Sequence, residues 1–306
     1  MSSYNQSMSN AVSGFGDMYQ NLKENNLIYI GLFIVILLCI LTIYFLYTMI
    51  GNYLFLKVSN TVHGTTVPVL CNKASSFEAN FSEMGNGRRR SYSFWIYIYD
   101  INKNYGTFKT VAAVSNSSDY SDSSKSAYLN ASPHIFLDRT NNSMYCRFYN
   151  KEKNDELGFS NFTALNSNSM EKYMRTGIKI DYIPLQRWVH VAIVVNSDTF
   201  TTSIYAYVDG DLVKVGRDKE PLSVNGLRND YEKIELNQTR YLLVGGDNAN
   251  VRNGPGFSGL ISNFTCYNYE LNQSDVNNIY RQGPVNGFLA YLGLGMYGVR
   301  NPIYKL

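Results

Sequence analysis

The chain has 306 residues, with 27 Lys and Arg against 24 Asp and Glu, for a formal net charge of +3. So small a surplus, its basic residues scattered, sets nucleic acid aside as a partner. Only 17% of residues are charged while Tyr alone supplies 26, a composition that favours strands and large contact surfaces facing proteins or glycans.

Residues 1–26 are polar and rich in Ser and Asn, and read as an arm that a partner would order. From Leu27 through Ile36 to Ile50 no side chain is charged. At about 1.5 Å per residue that stretch reaches roughly 36 Å, enough to cross a hydrocarbon core of about 30 Å. Tyr29 at one end and Tyr44, Tyr47 and Tyr53 at the other stand where an interfacial belt belongs. The pattern predicts a single transmembrane helix over 27–56, with the lipid bilayer as a partner. The polar arm before it, the length of the apolar run and the lack of a small-residue cleavage site argue against a removable signal peptide. Lys23 beside Glu24, and Lys57 beyond, give no orientation.

A neck over 57–66 leads into β-type runs separated by Gly, Asn, Asp and Ser clusters. Arg88, Arg89 and Arg90 precede the first long run, as a solvated strand entrance or as a contact for lipid phosphate or an acidic neighbour. The clearest strands are Tyr92–Tyr99, Thr110–Val114, His134–Leu137, Met144–Tyr149, Trp188–Asn196, Ser203–Val208, Leu212–Val215, Tyr241–Val244 and Leu260–Tyr269. The runs around Phe94 and Trp188 are apolar on both faces, which predicts central strands. Asp209-Gly210 between two alternating runs is a two-residue hairpin signal. Asn116–Ala131 and Lys151–Thr176 read as long loops of the kind that serve function or an interface.

Asn272–Gln282 is the only good helix outside the span, capped by Asn272 or Ser274, with Val276, Ile279 and Tyr280 on one face and Gly283-Pro284 as its stop. The tail over 284–306 is Gly-rich and apolar, too short to span. Phe288, Tyr291 and Tyr297 would dock on a neighbouring protein or on this domain in preference to entering the membrane. Many short strands and little helix predict an all-β, antiparallel two-sheet jelly-roll sandwich over 67–283.

Several residues recur in a fixed order: Phe94-Trp95-Ile96, then Trp188-Val189-His190-Val191-Ala192, then Tyr207-Val208-Asp209-Gly210, then Val244-Gly245-Gly246. Phe257-Ser258-Gly259-Leu260-Ile261 and Tyr267-Asn268-Tyr269-Glu270-Leu271 close the set. Over Val67–Gly283 the chain resembles the laminin-G-like domains of the concanavalin A-like lectin/glucanase superfamily. A membrane span fused to such a domain also resembles structural proteins of large double-stranded DNA viruses. That second resemblance implies a minor capsid protein between an internal virion membrane and the shell, with neighbouring structural or capsid proteins as partners.

Glucanases of this fold place paired carboxylates on one strand face, about 5 Å apart for a retaining mechanism. No Glu-x-Asp-x-Glu segment occurs here. Glu232 and Glu235 are three apart, opposite faces if the run were a strand, and Asp155-Glu156 falls in a loop. No Gly-x-Ser-x-Gly or Cys/His constellation appears among His63, His134 and His190, and His190 reads as a structural side chain beside the core. The expectation is a non-enzyme without a cofactor. Calcium is the one metal in view, since relatives bind it through rim oxygens; Asp209, Asp211, Asp247 and Asn248 are the candidates, although Asp209 also reads as a turn residue. Cys71, Cys146 and Cys266 are three free thiols, or one pair and one thiol. A membrane-displayed lectin binding glycans is the alternative to the structural tether.

Overall fold

The computed structural model describes residues 26, 28–50, 59–63, 68–79, 89–115, 127–150, 152, 165–197, 201–222, 226–232, 234–236, 241–246 and 254–285. The chain divides into two compact units, Met1–Leu56 and Lys57–Leu306. The first contains helix α1, Ile28–Ile50, with none of its most apolar window buried. Ile36 and Ile50 lie on it, 49% and 53% exposed. Leu27 falls outside the described residues. Within α1 the Thr42 and Thr48 hydroxyls donate to the Cys39 and Phe45 carbonyls, both at 2.9 Å.

The second unit is a sandwich of two antiparallel sheets. One has the order β1 (Ser59–His63), β13 (Ser258–Tyr267), β4 (Arg90–Asp100), β9 (Trp188–Ser197), β10 (Thr202–Val208) and β11 (Asp211–Arg217), with β2 (Val69–Leu70) also paired to β13. The other runs β3 (Ser75–Glu78), β12 (Tyr241–Val244), β5 (Lys109–Ser115), β6 (His134–Leu137), β7 (Met144–Arg147) and β8 (Gly177–Ile180). Period-two alternation sends Phe94, Ile96 and Ile98 of β4, with Val189, Val191 and Ile193 of β9, into the space between the sheets. Ile135 and Leu137, and Met144 and Cys146, meet them from the facing sheet. Cys71, Cys146 and Cys266 are all free and buried.

The outward-pointing residues are also covered, which explains the strands that read as apolar on both faces. Helix α3 (Gln273–Gln282) lies on the outer face of the seven-stranded sheet, packing Val276 and Ile279 against Ala192, Val194 and Tyr207. It is capped by Asn272, whose side chain accepts from Asp275 N at 2.9 Å. On the six-stranded sheet, helix α2 (Ser167–Tyr173) and the 3-10 turn Met174–Thr176 bring Tyr173 and Met174 onto Phe108 and Phe136. Tyr128 stacks on His134 at 4.7 Å and 6°, while the Arg147 guanidinium sits 4.4 Å over the Tyr173 ring.

Three expectations change. The segment read as a neck contains β1, which pairs with β13 through Ser59↔Tyr267 and Thr61↔Thr265. Its short polar sequence carries no strand signature, because an edge strand with an exposed face needs few apolar residues. The stretch 151–176 is not all loop: Asn166 and Ser169 form a capping box that starts α2. Likewise, 116–131 ends in a 3-10 turn, Ala127–Asn130, with Tyr128 fully buried. Glu232 and Glu235 are not on a strand pair; Glu232 lies in a turn, and Glu235 makes only an isolated bridge to Tyr149.

Candidate ligand-binding cleft

Part of the ordered motif set meets beneath α3, including Trp95, His190, Ala192 and Tyr207, while Val244 and Phe257 pack between the sheets. Trp95 and His190 are cross-strand neighbours in the β4–β9 register, with ring centroids 5.1 Å apart. Tyr280 of α3 stacks over Trp95 at 5.7 Å and 16°. The His190 Nε2 shares a 2.8 Å hydrogen bond with the Ser93 hydroxyl. Burial pushes His190 down to about 3, so the ring is neutral and shut away from any substrate.

That burial has a testable sign. The unfolded chain takes up the His190 proton near pH 6.5, whereas the folded chain resists it to about 3. Stability is therefore expected to fall as pH drops below 6.5, by about 2 kcal/mol at pH 5 from this group. Buried His134 adds in the same direction. Urea midpoints at pH 7 and pH 5 should show the loss, and His190→Gln should flatten the slope.

Asp209 and Gly210 form the tight turn of the β10–β11 hairpin with φ of 52° and 91°, the left-handed conformations such a turn needs. The Asp209 carboxylate is already engaged: Oδ1 accepts from His190 N at 2.9 Å and Oδ2 from Arg187 at 2.6 Å. A guanidinium thus holds the place a cation would take. Gly210 lies against Asn277 of α3, where a side chain would collide, and Gln273 donates to its carbonyl. Asp211 is exposed at the start of β11. Asp247 and Asn248 lie outside the described residues. Among the described residues no group of three or more His, Cys, Asp or Glu is placed to hold a metal.

Where α3 meets the β1 edge, a cleft of about 390 Å³ opens. Ser59 and Thr61 of β1 with Thr265 and Tyr267 of β13 form its floor, and Thr61 and Thr265 join hydroxyls at 2.9 Å. Asp275, Asn278, Ile279 and Gln282 of α3 form one wall, and Tyr269 and Trp95 contribute rings. Asn263 stands at one end because of a β-bulge. Between Ser262 and Thr265, β13 carries one residue more than β4, and Asn263 absorbs it at φ 49°. Its Nδ2 donates to Gly283 O at 3.3 Å, while its Oδ1 is buried with no partner among the described residues.

Residues 74–277 match a laminin G family model described as the concanavalin A-like lectin/glucanases superfamily. The chain belongs to that superfamily. The match lies inside the stretch, 67–283, that carries the resemblance in the sequence. No curated protein matches the chain. Among solved structures, it is similar to the botulinum neurotoxin serotype D binding domain at 12% identity and TM-score 0.42, over 73% of this chain and 42% of that one. It is also similar to the receptor binding domain of mosaic serotype C/D, at 13% identity and TM-score 0.43, over 73% and 45%. The chain therefore spans less than half the length of either.

The remaining candidates divide. Arg90 is 3% exposed at the start of β4, so the sheet consumes it and it offers no surface contact. Arg89 is exposed and lies 4.0 Å from Glu270. Arg88, Phe288, Tyr291 and Tyr297 lie outside the described residues. The cleft itself was missed in the sequence. The bulge that positions Asn263 has no sequence signature.

Proposed function

We propose that this protein is a single-pass membrane protein whose concanavalin A-like sandwich works by contact and not by chemistry, joining a bilayer to a neighbouring protein. The observation that carries the reading is α1, 23 residues with a mean hydropathy of 2.8 in its most apolar window and none of that window buried. An exposed apolar rod of that length is soluble only in lipid. A non-catalytic sandwich is supported by where its reactive groups go. His134 and His190 are buried under aromatic rings, and Asp209 is paired with Arg187. The anchor-then-sandwich order and the Tyr-rich composition favour one form of this role, a minor capsid protein tying an internal viral membrane to its shell.

Expressed with its N-terminus intact, the chain is expected to float with vesicles and resist alkaline carbonate. Mass spectrometry of the membrane fraction should find Ile28–Ile50 retained. Recovery in the soluble fraction, or a mature chain beginning after Ile50, overturns the tether. Recovery from purified virions at constant stoichiometry is the outcome expected of the capsid form.

A further inference from the structure

Beside the end of α3, a row of apolar side chains crosses the outer face of the seven-stranded sheet. Leu260 of β13, Tyr97 of β4 and Trp188 of β9 are cross-strand neighbours and form one cluster with Trp95. They point away from the space between the sheets, which their strand neighbours Ile96, Val189 and Ile261 fill. Yet Leu260, Tyr97 and Trp188 are only 4%, 7% and 3% exposed. The partly buried hydrophobic side chains packed on the cluster are Tyr99 and Tyr280. Tyr99 meets Tyr97 along β4, and Tyr280 stacks over Trp95. The Trp188 indole N–H is buried with no acceptor among the described residues, and a buried indole of that kind calls for one.

The chain itself leads to this row. After α3, Gly283 turns with φ of 84°, and the carbonyl of Pro284 accepts from the buried Ser262 hydroxyl. Ser262 is the cross-strand partner of Trp95 and stands two residues from Leu260 on β13, a step of about 7 Å along the same face. Two extended residues cover that step, and crossing from β13 to β9 takes about 10 Å more, two strand spacings. The segment Asn286-Gly287-Phe288-Leu289-Ala290-Tyr291 lies outside the described residues; it has the required length and is apolar from Phe288 onward.

We infer that the C-terminal segment beginning at Asn286 folds back over Leu260, Tyr97 and Trp188, and that one of its main-chain carbonyls takes the Trp188 N–H. The occupant is this chain's own tail because a link of two residues delivers it to the row, at an effective concentration in the millimolar range or above. Phe288 and Tyr291 are then used inside the domain, and a neighbouring protein must bind elsewhere. The inference goes beyond the tether and does not depend on it.

The chain has two tryptophans, so Trp95→Phe leaves Trp188 as the sole reporter. That variant at full length, in detergent micelles, is compared with the same variant ending at Val285. Truncation is expected to raise acrylamide quenching of Trp188 about threefold or more and to shift its emission to the red, with the circular dichroism of a folded sandwich retained. Phe288→Asp with Leu289→Asp at full length should do the same, so the test survives if the truncated chain fails to fold. Low quenching of the intact chain should persist over about a hundredfold dilution at constant detergent, as an intramolecular contact requires. Unchanged quenching in a folded chain without the tail overturns the inference. Protection lost on dilution overturns it in favour of a second copy.

Discussion

Trp95→Ala is expected to destabilise the sandwich by about 3–5 kcal/mol, the range for deleting a large buried aromatic side chain. Trp95 is 1% exposed and packs in a triangle of rings with His190 and Tyr280, whose centroids lie 5.1 and 5.7 Å from it and 6.2 Å from each other. No neighbour is free to fill the space, since His190 is tied to Ser93 and Tyr280 belongs to a helix held at its far end by Gly210. The loss should appear as a lower urea midpoint and as faster amide exchange in α3 than in β5 or β6. Trp95→Phe retains a ring and should lose less. A shift under about 1 kcal/mol for the alanine variant would mean that α3 is not seated through this stack.

Lys109→Met is expected to cost about 2–3 kcal/mol, because it removes a charged donor shared by three part-buried carbonyls. The Lys109 side chain starts β5 in a residue with no exposed surface. Its ammonium donates to Asp138 O at 3.0 Å, Arg139 O at 3.1 Å and Thr107 O at 3.4 Å. One cation thereby joins the segment before β5 to the turn between β6 and β7. Burial lowers Lys109 from 10.5 against the pull of Asp138 and Asp100. The folded state thus gives up this proton before the unfolded state does. Wild-type stability should rise with pH through the window below 10.5, and the methionine variant should lack that rise. Denaturant midpoints at pH 8 and pH 10 check both the size and the sign.

The sandwich was legible because its central strands carry the signal. In β4 and β9 both faces are apolar, and in the β10–β11 hairpin Asp209-Gly210 names its own turn. Helix α3 was legible from Asn272, its three-residue face and Gly283. What escaped has a common cause: β1, β8 and α2 are short, and tertiary contacts determine them. β1, an end strand among the described strands, is short and polar, and Gly177–Ile180 is too brief to set a period. α2 rests on a capping box between two polar residues, a pattern easily lost in a Ser- and Asn-rich chain. The motif residues were visible, but their purpose was not. Nothing in Trp188-Val189-His190 announces that the outward side chains form a seat for the helix that begins at Gln273.

The lateral position of β1 gives the sandwich a mechanical weak point. Among the described strands, tension carried along the chain from its N-terminal side first meets Ser59, in a strand that pairs with β13 alone. Peeling that strand breaks hydrogen bonds one after another and spares the two-sheet interior. It would also remove Ser59 and Thr61, so the floor beside Asn263 would come apart under strain well before the body unfolds.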